Sequence, residues 1–92
     1  MIKSFKDKNS QSIWERWAPK GFSLGVAKVA LRKLRMLNNA ECLDDLRIPP
    51  GNRLEKLVGD RKNQYSIRIN NRFRICFIWN DGAEQVEIID YH

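Results

Sequence analysis

His92 is the single histidine of the 92-residue chain and its last residue, and it directly follows Asp90 and Tyr91. An imidazole ionises close to neutral pH and can therefore act as either general acid or general base. Upstream, Arg68 and Arg74 sit in two successive stretches of alternating polarity. Two guanidiniums beside a phenol and an imidazole suit a phosphodiester. Arginine matches phosphate oxygens bidentately, and a positioned positive charge stabilises the extra negative charge of a pentavalent phosphorane. RNA supplies its own nucleophile, the 2′-hydroxyl, so this chemistry requires neither a protein nucleophile nor a metal. A base for the 2′ proton and an acid for the 5′ leaving oxygen complete it. The sequence holds no Ser-His-Asp set, no Gly-rich phosphate loop and no metal-ligand spacing. A lone terminal histidine is more often a solvated tail, so the decision passes to the elements that position it.

Strand parity brings the arginines together. Tyr65, Ile67 and Ile69 must face a core, and so must Phe73, Ile75 and Phe77. Opposed residues of an antiparallel pair share a face, and a one-residue slip flips every side chain. A two-residue loop at Asn70-Asn71 would set core residues opposite polar ones. A three-residue loop, Asn70 to Arg72, pairs Ile69 with Phe73 and Ile67 with Ile75. Arg68 then falls directly opposite Arg74 on the other face. Extending the same parity to the last strand pairs Phe77 with Ile88 and Trp79 with Val86, and so sets Tyr91 opposite Arg74. Directly opposed like charges cost stability, unless Glu55 or Glu87 neutralises them on an open, solvated face.

The remaining elements follow from periodicity. Ile2 to Phe5 reads as a short strand. Asn9/Ser10 cap a helix running to about Trp17, which Pro19-Lys20-Gly21 ends. Ser23 caps the clearest helix, whose apolar stripe is Leu24, Ala27, Leu31, Leu34 and Leu37, with Lys28, Arg32, Lys33 and Arg35 mostly off it. Asn38-Asn39 closes that helix, and Leu43 to Leu46 forms one more turn. Pro49-Pro50-Gly51-Asn52 is a rigid turn. Strands are predicted over Arg53 to Leu57, Tyr65 to Ile69, Phe73 to Trp79 and Val86 to Tyr91, with turns at Gly59 to Asn63 and Asn80 to Gly82. The expectation is one α+β domain over residues 1–92.

Composition narrows the class. Hydrophobic residues are 42% and charged residues 30% of the chain, the balance of an ordinary globular protein. The longest apolar run, Ile75 to Trp79, is far shorter than the ~20 residues of a membrane helix. Two cysteines, Cys42 and Cys76, are too few for a disulfide scaffold or a zinc module. The opening MIKSFKDKNSQ lacks a signal-peptide apolar core, so a cytoplasmic location is expected. The net charge of +6 is unevenly spread. Residues 47–74 hold eight Lys/Arg and two acids, whereas residues 75–92 hold four acids and no Lys or Arg. A basic segment of this kind suits phosphate, although Lys and Arg also solubilise small domains.

Several segments resemble the HigB toxins of the RelE/ParE superfamily. They are Met1-Ile2-Lys3-Ser4-Phe5-Lys6, Pro49-Pro50-Gly51-Asn52-Arg53-Leu54-Glu55, the run Gly59 to Asn70, Phe73-Arg74-Ile75-Cys76-Phe77, and the ending Val86 to His92. The terminal Asp-Tyr-His is the most specific of these. The tight match covers about half the chain, and the helical middle agrees in pattern and length.

The resemblance implies a RelE-like fold: one N-terminal strand, and two helices packed on one face of a mainly antiparallel sheet of about four to five strands. It implies a metal-free, cofactor-free mRNA endonuclease acting in the ribosomal A site. It marks Arg74, Asp90, Tyr91 and His92 as functional positions; the strand register adds Arg68 to the expected catalytic set, and Glu55, Lys56, Arg61, Lys62 and Arg72 of the basic segment are expected to meet RNA. The implied partner is a HigA-like helix-turn-helix antitoxin through which alone the toxin meets operator DNA; no membrane is involved. Three positions depart from the pattern. Glu55 stands where some relatives have His, and is either the base or a charge partner of Arg68. Val58 stands where many have Lys, which removes a phosphate contact, and Asn63 replaces a common Gly. A gyrase-inhibiting ParE-like toxin and a non-enzymatic RNA-binding module are the alternatives. The second fits the basic-aromatic composition, but the aromatic residues fall mainly on core-facing positions rather than on an exposed stacking platform.

Overall fold

In the computed structural model, which describes residues 1–90, the first helix, α1 (Lys8–Trp14), begins two to three residues earlier than Asn9/Ser10 suggested. Asp7, in extended backbone, accepts a hydrogen bond from the Ser10 amide at 3.1 Å. Ser10 is therefore inside the helix and buried, where its Oγ accepts the Ile88 amide at 2.8 Å. The helix stops at Trp14 rather than Trp17 because Arg16 turns left-handed (φ 72°). The Arg16 amide donates to the Ile13 carbonyl and the Trp17 amide to the Ser12 carbonyl, the paired bonds of a Schellman stop made here without glycine.

Ser23 caps α2 (Leu24–Asn39) as expected, its Oγ accepting the Val26 amide at 3.1 Å. Leu34 and Leu37 are fully buried against the sheet, but Leu24, read as the head of the stripe, is 72% exposed. Lys33, read as off the stripe, is buried at 6% exposure. Two 3₁₀ turns, Leu43–Arg47 and Pro50–Asn52, lead into the sheet, and the Ile48–Pro49 bond between them is cis.

The sheet is antiparallel throughout, in the order β1 (Glu55–Lys56), β2 (Tyr65–Arg68), β3 (Phe73–Trp79) and β4 (Ala83–Asp90). The strand expected over Arg53 to Leu57 shrinks to two paired residues, because Arg53 takes a left-handed conformation (φ 45°) as it leaves the preceding turn. The N-terminal strand is present only as two parallel bridges, Ile2 to Ala83 and Phe5 to Val86. Between them Gln85 interrupts pairing, its amide donating to the Ser4 hydroxyl instead. Ile67, Ile69, Phe73, Ile75, Phe77, Val86 and Ile88 form one core with Ile13, Leu34 and Leu37, so both helices cover the same sheet face. Among the described residues, no helix is long and apolar enough to cross a membrane.

The β2–β3 register is the one that parity predicts: Ile67 opposes Ile75 and Arg68 opposes Arg74. The three-residue loop is held by Asn70, whose Oδ1 accepts the Arg72 and Phe73 amides at 2.8 and 2.7 Å. The β3–β4 register differs. Ile88 pairs with Ile75 rather than Phe77, Trp79 pairs with Ala83 rather than Val86, and Arg74 faces Ile89 rather than Tyr91. The cause is twofold. The strand starts directly after the Asn80–Gly82 turn, three residues earlier than predicted, and Gln85 (φ 50°) enters as an extra residue that forms a bulge opposite Phe77. The bulge restores the inward direction of Val86 and Ile88 after Ala83.

Candidate functional site

The sheet face away from the helices carries Ser66 and Arg68 from β2, Arg74 and Cys76 from β3, and Glu87 and Ile89 from β4. It is not the open, solvated face that opposed arginines suggested. Ser66 and Cys76 are fully buried and Arg74 is only 6% exposed. Burial raises the Cys76 thiol pKa, against the opposing pull of Arg61.

Arg74 is anchored rather than solvated. Its Nε donates to the Ser66 hydroxyl at 2.8 Å, and its Nη2 donates to the Arg53 carbonyl at 2.6 Å and more weakly to the Ser66 carbonyl at 3.4 Å. The half-exposed Glu55 carboxylate lies 3.9 Å from Nη2, at the limit of an ion pair. A buried guanidinium needs such partners, since desolvating it otherwise costs several kcal/mol. Arg68, directly opposite, is half-buried and donates through Nη2 to the Asn71 side chain. The structure thus brings Arg68, Arg74 and Glu55 together.

The other predicted residues distribute around this centre. Arg61 reaches from the Gly59–Arg61 turn to Glu87 at 3.0 Å, and Lys6 reaches the same carboxylate at 3.2 Å. The hydrogen bond to Glu87 raises the Arg61 pKa and makes this side chain a tie between its loop and β4. Lys62 and Lys56 are exposed and border a shallow recess with Leu57, Val58 and Asn63, where Val58 is 86% exposed. Arg72 pairs with Asp90 at 2.9 Å while stacking on the Phe73 ring at 5.0 Å. Tyr91 and His92 lie outside the described residues.

Sequence reasoning missed Ser66 and the Arg53 carbonyl, the partners that fix the Arg74 plane. Ser66 was within reach of the parity argument, since it lies two residues from Arg68 and so on the same face. The Arg53 carbonyl was not, because it arrives from a left-handed residue in a non-repetitive turn.

A sheet with helices on one face and an anchored, arginine-bearing surface on the other is consistent with the RelE-like toxins as a class. Residues 3–92 match the family described as the RelE-like toxin of the type II toxin–antitoxin system HigB. The chain is 38% identical to Toxin HigB-1 of Vibrio cholerae serotype O1 over 97 aligned positions, which cover all of this chain and 98% of the relative. It is also 37% identical over 65 positions to an uncharacterised protein of Haemophilus influenzae, covering 71% of this chain and 64% of that one. The chain belongs to the HigB-like toxin family. It is the toxin half of a two-protein module, and that membership brings an antitoxin partner.

Proposed function

We propose that this toxin is a ribosome-dependent mRNA endoribonuclease, folded as one domain over residues 1–92 and acting in the cytoplasm on codons in the ribosomal A site. The observation that carries this reading is Arg74: a buried guanidinium with its plane held by Ser66 and the Arg53 carbonyl, directly across the strand pair from Arg68. A fixed positive charge of this kind is suited to a reaction in which charge develops on phosphate oxygens.

In the proposed reaction the 2′-oxygen attacks the adjacent phosphorus while the bond to the 5′-oxygen breaks, leaving a 2′,3′-cyclic phosphate and a 5′-hydroxyl. Arg74 and Arg68 stabilise the phosphorane. His92 moves a proton, and Asp90 and Tyr91 position it or the reactive phosphate. The 2′-hydroxyl is the nucleophile, so the scheme calls on no metal or cofactor. Lys56, Lys62 and Arg72 meet flanking phosphates, with Glu55 at the edge of the site. Arg61, tied to Glu87, holds the loop that presents Lys62. The partner in this reading is a HigA-like helix-turn-helix antitoxin, which masks the basic face and through which alone the toxin meets operator DNA.

The test is induced expression followed by mapping of mRNA 5′ ends, with translation running and with initiation blocked. New ends in frame with translated codons, lost when initiation is blocked, are expected. Growth arrest with DNA breaks and intact mRNA would replace this reading with gyrase inhibition.

A further inference from the structure

Lys33 projects from α2 into the protein and is 6% exposed, and among the described residues no carboxylate lies within ion-pair distance of it. Its Nζ donates to the side-chain oxygen of Asn52, which is completely buried. Burying an ammonium beside one neutral amide is costly, and a methionine would fill the same space without that cost. Burial lowers the Lys33 pKa, and repulsion from Arg32 and then from Arg68 adds to that effect. Packing alone does not account for a cation here.

The hydrogen bonds beyond Asn52 lead to Arg74. The Asn52 amide group donates to the Leu46 carbonyl at 3.1 Å, which pins the Pro50–Asn52 turn to the turn before it. The next residue, Arg53, has φ 45° and ψ 58°, a conformation that side-chain-bearing residues keep only when their surroundings impose it. That conformation directs the Arg53 carbonyl at Arg74 Nη2, 2.6 Å away. Without the Lys33 bond, the Asn52 oxygen loses that donor, and the side chain is held only through its amide group, by the Leu46 carbonyl and by a long contact to the Met36 sulfur at 3.9 Å. The strained residue after it can then relax and carry its carbonyl away from the guanidinium.

We propose that Lys33 is a positioning residue for Arg74, acting through Asn52 and the strained turn that presents the Arg53 carbonyl. The inference rests on the reading above that Arg74 faces the RNA phosphate. It adds a dependence of that site on a helix residue on the opposite side of the sheet. Lys33 touches no reacting atom in this scheme.

Lys33→Met, Arg74→Ala and the double variant are compared in the full-length toxin by single-turnover cleavage on programmed ribosomes and by melting temperature. The ¹⁵N–¹H signal of Arg74 Nε reports the guanidinium's orientation independently of activity, because a plane freed from the Arg53 carbonyl at Nη2 also turns against the Nε bond to Ser66. In folded Lys33→Met the cleavage rate at saturating ribosome should fall roughly 10- to 100-fold, as expected for a misplaced group. The ribosome concentration at half-saturation should stay within about twofold, because binding is not what is lost. The Arg74 Nε signal should shift and exchange faster, and the double variant should be no slower than Arg74→Ala. An unchanged Nε signal, a further loss on the Arg74→Ala background, or a change in half-saturation alone would overturn the proposal. If Lys33→Met does not fold, Lys33→Gln, which keeps an N–H donor without the charge, is measured in the same way. Its rate should lie between wild type and Arg74→Ala, and a rate at either extreme would count against the relay. If the wild-type toxin cuts no mRNA, the proposed function fails and the Nε signal alone decides the positioning claim.

Discussion

Replacing Arg74 with alanine separates anchoring from catalysis because the structure assigns a magnitude to each. The side chain makes two short charge-assisted hydrogen bonds, Nε to Ser66 Oγ at 2.8 Å and Nη2 to the Arg53 carbonyl at 2.6 Å. Bonds to charged groups contribute about 1.5–3 kcal/mol each. Against them stand the desolvation of the guanidinium and its repulsion from Arg68, both relieved by alanine. The Arg53 carbonyl also loses a donor, but Arg53 is exposed and water can replace that bond, so this loss adds little. A net destabilisation of about 2–3 kcal/mol follows, which for a chain of this size corresponds to a fall in melting temperature of about 10–20 °C. Cleavage is therefore measured well below both melting temperatures, in single turnover on programmed ribosomes with folding verified by circular dichroism. The rate should fall by about 10²–10³, the usual loss for one electrostatic stabiliser of a charged transition state. Ser66→Ala, which removes one anchor and keeps the charge, should lose less in both measurements. A folded Arg74→Ala variant cutting at the wild-type rate would refute the phosphate role. An unchanged melting temperature would refute the anchoring.

Three further outcomes follow from the geometry. Lys62→Glu should weaken ribosome or RNA binding and reduce its salt dependence by about one released counterion or more without changing the melting temperature, because Lys62 is exposed; Arg61→Glu should also lower the melting temperature, because it repels Glu87, and equal thermal behaviour in the two variants would contradict the loop tie. Gly82→Ala should destabilise by about 1–3 kcal/mol in denaturant titration, since at φ 143° its new Cβ would lie 2.8 Å from the Met1 carbonyl oxygen; a neutral result would mean that the N-terminal segment is not seated on β4. Asp45 accepts the Glu41 and Cys42 amides, which hold its carboxyl below the ordinary aspartate pKa. Its contribution to stability is present above about pH 4 and lost as pH falls through the lowered value, so Asp45→Asn should flatten that part of the acid-unfolding curve, and an identical curve would remove Asp45 from the balance.

How much of the site was legible in the sequence depends on whether the signal was local. The β2–β3 hairpin was readable because alternation has a period of exactly two: once Ile67 and Ile75 must share the core, Arg68 and Arg74 have no other register. Ser23 was legible as a cap because the bond it makes spans three residues. Asp7 carries the same kind of local signal two to three residues upstream of Asn9/Ser10. The β3–β4 register was different. A left-handed Gln85 has no composition cue, and the single extra residue it adds alters the pairing of everything after it. The partners of Arg74 and the burial of Lys33 were equally hidden.

The sequence by itself therefore determined the α+β class, the core-facing stripes, the opposed arginines and the resemblance that led to the toxin family. Tertiary structure decided that Arg74 is buried, that Arg61 is committed to Glu87, and that Ile89 rather than Tyr91 lies across from Arg74. The physical reason is range. Side-chain direction along a strand or helix repeats over a few residues and can be read from spacing. A carbonyl from one turn, a carboxylate from another strand and an ammonium from a helix meet their partners only once the chain has closed loops of about 20 to 30 residues, and spacing carries no record of those encounters.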